Sequence, residues 1–183
     1  MAEAIEPPPV KLVMGLLFAI EAPIAAVRRQ LEADFGQIDL ETTWLPFVWT
    51  RFYEREMGPA LQRQFWSFET LIAAAALADI KRQTNAMERT FAGHGGQRRV
   101  NLDPGYIDQA KLVLATTKDR QHRLYLGQGI YAEVTLRYTG GRFAPWEWTY
   151  PDYRSPAYLA FFDAVRRRYR QQLTTPITEP YHV

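Results

Sequence analysis

Apolar residues run almost unbroken from Lys11 to Ala19 (KLVMGLLFA), a stretch whose length and lack of alternation read as a buried strand. The spacing then changes. Ile24, Val27, Leu31 and Phe35 recur at helical intervals, Pro23 suits a first turn and Gly36 closes the segment, so a helix is predicted over Ala22–Phe35. Ile38–Phe47 reads as a second strand, and Thr50–Pro59 as a charged connection broken at Gly58–Pro59. Leu61–Glu69 (LQRQFWSFE) alternates polar and apolar residues like a half-buried third strand. A second helix is expected between Ala73 and Phe91, with Ile80, Thr84, Met87 and Phe91 on one stripe, followed by a glycine-rich linker at Gly93–Gln97. Arg98–Leu102 makes a fourth strand, and Asp103–Pro104–Gly105 is expected to turn the chain into a short helix or extended segment over Ile107–Leu114. Tyr131–Tyr138 and Arg142–Trp148 alternate around Thr139–Gly140–Gly141, a hairpin signal. The last helix starts at Ser155–Pro156 and aligns Tyr158, Phe162, Val165 and Tyr169.

The order strand–helix–strand–strand–helix–strand predicts an α+β fold, with a mostly antiparallel sheet and helices on one face. Its expected core is a ferredoxin-like βαββαβ unit extended by a C-terminal hairpin and helix. The expected organisation is a flexible proline-rich leader over 1–10, a single domain over 11–173 and a flexible tail over 174–183.

Composition narrows the chemistry. The chain has 183 residues and no cysteine, which excludes disulfides, thiolate nucleophiles and thiolate metal centres. Its formal charge of +2 provides no global attraction to nucleic acid. The basic residues are nevertheless clustered at Arg98–Arg99, Lys118–Arg123 and Arg166–Arg170. Glu3, Glu6 and the Pro7–Pro9 run do not resemble a signal peptide, and Leu12–Ile20 falls short of the roughly 20 residues a membrane helix needs, so a cytoplasmic location without membrane association is expected.

Candidate chemistry concentrates between Arg98 and Thr135. Asn101 and Asp103 flank Leu102 and share one strand face, where Asp103 either sets a turn or faces a ligand. Lys118–Arg123 is a charged run with the composition of a solvated loop, but His122 within it leads into the apolar Leu124–Leu126. His122 is either a structural hydrogen-bonding residue or a general acid–base, with Asp103 or Glu133 setting its tautomer and Lys118 and Arg123 binding an anion. In YAEVTLRY, Ala132, Val134 and Leu136 are expected to face inward together. Glu133 then lies opposite, in a solvent-facing cross-strand Glu–Arg pair or in a groove with Tyr125 and Tyr131. Gly127 and Gly129 would allow a close approach there. Asp152 sits among Trp146, Trp148, Tyr150 and Tyr153, a strand end folded over the sheet or a stacking platform. Glu54 and Glu56 could join Asp103 and Glu133 around a cation, although nothing in the spacing requires a metal. RRRYR reads as the solvated C-terminal turn of the last helix, with a phosphate patch as the alternative.

The strings RRVNLDPGYI, LVLATTKDRQHRLYLGQGIYAEVTL and WTYPDYRS, with looser echoes at KLVMGLLF and FYEREMG, resemble a prokaryotic family known as domain of unknown function 4416. The resemblance covers about Lys11 to Leu173 and implies no assigned activity. A GTP-binding label carried by some relatives finds no support here: GHGGQRR lacks the phosphate-loop spacing and lysine, and TTKD is one residue short of the guanine-reading pattern. The family pattern implies acidic residues before FYEREMG, where this chain has Val48–Trp49–Thr50–Arg51, so a metal or basic ligand dependent on them would be lost here. Three function classes follow. The favoured one is a small-molecule protein or enzyme whose polar cleft takes an anionic or nucleotide-like ligand through Asp103, His122, Glu133, Lys118, Arg123, Asn101, Tyr125, Tyr131 and Asp152. The others are an RNA- or nucleotide-binding module and a structural or assembly protein. No cofactor is identified, and exposed aromatics could also make a homodimer interface.

Overall fold

Strand β1 (Val10–Phe18) is buried along its whole length, because helices cover both of its faces. That is why its sequence shows no alternation. The computed structural model describes residues 3–174. Helix α1 (Ile24–Phe35) follows β1, then the short strands β2 (Ile38–Glu41) and β3 (Leu45–Pro46), the one-turn helix α2 (Glu54–Met57) and strand β4 (Gln62–Ile72). Helix α3 (Leu77–Thr90) leads to β5 (Val100–Ile107), β6 (Lys111–Thr116), β7 (Arg123–Gly127), β8 (Ile130–Thr139), β9 (Arg142–Pro145) and helix α4 (Pro156–Thr174). The result is an α+β fold with one antiparallel sheet of nine strands. Its order is β2–β4–β1–β5–β6–β8–β7, with β3 beside β4 and β9 beside β8.

Helices α1 and α3 pack on one face, where Val27, Leu31, Ile80 and Met87 meet Leu12, Leu16, Trp66 and Leu102. Helix α4 packs on the opposite face, where Tyr158, Phe162 and Val165 meet Val13, Phe65, Leu112 and Phe143. The expectation of helices on one face is therefore corrected: the sheet presents apolar side chains on both faces and needs both covered.

Three local expectations also change. The predicted strand Ile38–Phe47 is split, because the Thr42 hydroxyl replaces a backbone carbonyl in accepting the N–H of Phe65 at 3.0 Å. The Asp103–Pro104–Gly105 turn does not form, and β5 runs straight through it in register with β1. Strand β6 joins β5 only at Gly105–Ile107, so Pro104 lies where the outer edge of β5 has no strand partner and its missing N–H costs little. Gly105 is there for close approach: a Cβ on it would lie 2.4 Å from the Val113 carbonyl oxygen. Finally, the β6–β8 register shifts between Leu112 and Val113, leaving Thr135 as an extra residue in β8. Ala132 and Val134 pack on the α3 side, whereas Leu136 packs on the α4 side, so the three do not share a face.

The β8–β9 hairpin forms as expected, with Gly140 and Gly141 at positive φ, and the Tyr158 N–H reaches the Ser155 hydroxyl at the start of α4. RRRYR is not a terminal turn, because α4 continues to Thr174. Arg166 is buried, with its guanidinium 3.3 Å from the Tyr138 ring centroid and its Nε donating to the Gln109 carbonyl. Arg168 pairs with Asp39, which also holds the buried Lys11. In the leader, the Pro9 carbonyl accepts from the Tyr169 hydroxyl. The tail beyond Thr174 lies outside the described residues.

Candidate functional site

The α4 face of the sheet carries two polar clusters. The first is built on the β7–β8 pair, whose register places Arg123 directly opposite Glu133. Glu133 is only 3% exposed, and its Oε2 accepts from Arg123 Nε at 2.8 Å and lies 3.2 Å from His122 Nε2. A buried carboxylate at that nitrogen selects the tautomer with the proton on Nε2. Nδ1 is then the acceptor nitrogen of the ring. The ring stacks on Trp148, which in turn stacks on Trp146, with centroids 5.6 and 5.0 Å apart. Arg137 covers the other end of the stack.

Arg123 braces the cluster: its remaining nitrogens donate to the Lys118 carbonyl at 2.8 Å and the Tyr150 hydroxyl at 2.9 Å. Lys118 differs: its ammonium rests 4.6 Å from the Phe52 ring centroid and has no carboxylate in ion-pair range among the described residues.

The second cluster surrounds Asp103 on β5. Because β6 does not reach that part of β5, side chains of α3 serve its open edge. Glu88 accepts the Leu102 N–H and Lys81 donates to the Leu102 carbonyl, each at 2.7 Å. Lys81 also lies 3.6 Å from Asp103, while Asn101 donates to Asp103 at 2.6 Å. Arg98 ties Glu88 and Asn101 together. Arg63 of β4, 3% exposed, lies 3.5 Å from Asp103 and 3.4 Å from Asp152. Its Nε and Nη1 have no hydrogen-bond partner among the described residues, and neither do the hydroxyls of Tyr153 and Tyr158.

Burial and charge compete in this network. Burial pushes the Asp103 carboxyl upward, but Lys81 and Arg63, then the Asn101 hydrogen bond, outweigh it and hold Asp103 below the ordinary carboxylate range. For Glu88 and Asp152 burial wins, and both are raised despite their cations. Asp103 therefore stays ionised, and its side chain keeps 27% of its surface exposed. Burial, and next the charge on Asp103, push the Tyr53 hydroxyl up to about 12.

The structure thus joins Asn101, Asp103 and Asp152 in one cluster, and His122, Glu133, Arg123 and the Lys118 backbone in the other. Asp103 does not touch His122. Tyr125 and Tyr131 pair across β7 and β8 at 5.2 Å, but the Tyr125 hydroxyl accepts the Gly129 N–H and so belongs to the hairpin end. The cross-strand Glu–Arg pair expected of Glu133 forms, with Arg123 of β7, but it is buried rather than solvent-facing. Glu56 turns to Arg98, and among the described residues no group of three or more His, Asp or Glu side chains is placed to hold a metal ion.

Arg63, Lys81 and Glu88 were missed by sequence reasoning, although each left a trace. Arg63 shares strand parity with Phe65, and Lys81, Thr84 and Glu88 continue the helical stripe begun by Leu77. A charge on a buried face is such a signal.

Among the described residues no helix is long and apolar enough to cross a membrane. A family model described as Domain of unknown function (DUF4416) matches residues 8–169. No curated protein matches the chain, and no solved structure does.

Proposed function

We propose, from the premise that the chain belongs to the domain of unknown function 4416 family and inherits no assigned activity from it, that it binds a small anionic ligand beside the His122–Glu133 pair. The observation that carries this reading is the buried Glu133 carboxylate, held by Arg123 and aimed at His122 Nε2. That arrangement presents Nδ1 as a proton acceptor, the geometry expected of an acid–base histidine. In this reading Lys118 is the anion contact and Tyr150 borders the ligand. The first half of the sheet is read as ferredoxin-like, supported by the strand order β5–β1–β4–β2 with α1 and α3 as its two connections.

The test is titration with inorganic phosphate, pyrophosphate and nucleoside monophosphates, followed through the ring ¹⁵N shifts of His122. The expected result is a saturable shift with at least one of these anions, weakened about tenfold or more in Lys118→Ala, the loss of one charge-assisted contact. Lys118→Ala should melt close to wild type, because among the described residues its ammonium makes no ion pair and it loses only the exposed contact with Phe52. Absence of a saturable shift across the panel, or undiminished binding by Lys118→Ala, would defeat the reading.

A further inference from the structure

Strand β7 forms one end of the sheet, and among the described residues no strand lies along its outer side. The Arg123 N–H turns back to the Arg120 carbonyl at 3.0 Å, so Arg123 and Glu133 face each other as a pair without mutual backbone bonds. Alternation then points both the N–H and the carbonyl of Tyr125 away from β8, toward solvent. The side chains at this edge are apolar and exposed: Leu124 is 71% exposed, Tyr125 62% and Leu126 43%. The charge that β7 carries, on Arg123, is buried against Glu133. Neither an exposed charge nor a proline therefore guards this edge.

Other open edges of the sheet are guarded. At the far end, β2 is four residues long and carries Asp39 and Glu41, while β3 and β9 end in Pro46 and Pro145. The open edge of β5 is capped by Lys81 and Glu88. Strand β7 is also anchored. Beyond the register shift between Tyr125 and Gly127, the side chain of Gln128 donates to Asp79 and accepts from Arg82, both on α3. An edge fixed in this way needs little ordering on association.

We infer that β7 pairs antiparallel with β7 of a second copy of this chain, making a two-fold dimer with one continuous sheet. The strand is self-complementary in that register. Centred on Tyr125, the two-fold exchanges hydrogen bonds between the Tyr125 backbones and sets Leu124 of each copy across from Leu126 of the other. It also brings the exposed Asp119–Arg120 end of each copy toward the Gln128 end of the other, where Asp79 and Arg82 stand. Each end then offers both signs, and no block of like charge opposes the pairing. Pairing occupies the unguarded edge of both copies, so the assembly closes as a dimer. The register shift before Gly127 limits it to a few residues, fewer than the roughly 1,200 Å² of a standard stable interface requires. The dimer is therefore weak and concentration-dependent.

Sedimentation velocity on the full chain over a concentration series reads the oligomeric state, and hydrogen exchange at the Tyr125 amide reads the interface. A monomer–dimer equilibrium is expected, with Kd on the order of 10 µM to 1 mM. Exchange at the Tyr125 amide should slow as dimer accumulates. Leu124→Lys sets a charge into both halves of the interface and should weaken dimerisation by about tenfold or more. It should melt close to wild type, because Leu124 is exposed in the single chain. Leu124→Ile should keep the dimer. Ile20→Lys and Trp49→Lys, at exposed apolar positions away from β7, should leave it unchanged. The inference is overturned if the chain stays monomeric up to about 1 mM, or if Leu124→Lys dimerises like wild type. Growth beyond a dimer would overturn it too. So would a dimer with unchanged Tyr125 exchange, or one that Trp49→Lys disrupts and Leu124→Lys does not. The measurements contain no phosphate or nucleotide, so their outcome is independent of the reading at His122.

Discussion

Replacing Arg63 with methionine is expected to destabilise the fold by about 3–5 kcal/mol, the usual result of removing one member of a buried ion group. Arg63 lies between Asp103 and Asp152, so the substitution leaves two carboxylates facing each other without their shared cation. Burial opposes the charge on Arg63, but the Tyr153, Asp103 and Asp152 oxygens more than offset it and keep the guanidinium strongly protonated. Arg63→Lys should recover only part of the loss, because a single ammonium cannot span both carboxylates as the planar guanidinium does. Adding Asp152→Asn to Arg63→Met should also recover part of it, by removing one uncompensated charge.

The same substitution should change the pH dependence. In the wild type, Asp103 is held below its ordinary value of 3.8, so its stabilisation is present above that value and is lost as pH falls through the lower folded value. Asp152 and Glu88 act in the opposite sense. Their folded values lie above 3.8 and 4.5, so each weakens the fold as pH rises past its ordinary value. Without Arg63, Asp103 loses one of its two strongest stabilising cations and Asp152 rises further. The deficit of the variant should therefore be larger at about pH 7 than at about pH 4. Urea denaturation at both values measures this, and an equal deficit would show that Arg63 contributes packing alone.

Gly105→Ala is expected to cost about 2–4 kcal/mol, at or above the upper end of overpacking effects, because the obstruction is backbone. The added methyl would stand 2.4 Å from the Val113 carbonyl oxygen and 2.6 Å from Leu114 Cδ2, so β5 and β6 must separate. Those strands pair only over Gly105–Ile107, and separating them exposes Ile107 and Leu112 of the α4-side core. Gly141→Ala, at a position with open space and a positive φ of 82°, is the comparison. It should cost only about 1 kcal/mol, from backbone strain. A melting scan giving Gly105→Ala the smaller loss would mean that the two strands have room to move apart.

Periodicity along the chain was enough to locate α1, α3, α4, β1, β4 and the β8–β9 hairpin, because each of these is encoded by side chains a few residues apart. Ile24, Val27, Leu31 and Phe35 make one stripe only in a helix, and Gly140–Gly141 between alternating strands makes a tight turn. The pairing of Asn101 with Asp103 was legible for the same reason, since neighbours two apart on a strand share a face. Glu133 stood out locally, but its partners are set by the β7–β8 register, and its neighbours' facing by the bulge at Thr135, which reverses inside and outside halfway along β8.

What the sequence by itself determined is the succession of helices and strands, the absence of thiol chemistry and the concentration of polar residues between Arg98 and Thr135. Tertiary structure alone decided that α4 covers the face opposite α1 and α3, that Pro104 and Gly105 lie inside a strand, and that Arg63 and Lys81 converge on Asp103. It also left β7 at the end of the sheet with Leu124, Tyr125 and Leu126 exposed. The physical reason is range: hydrophobic periodicity and turn chemistry act over a few residues. An ion group such as Arg63–Asp103–Asp152 joins positions far apart in the chain, and only the register of a folded sheet brings them within reach of one another.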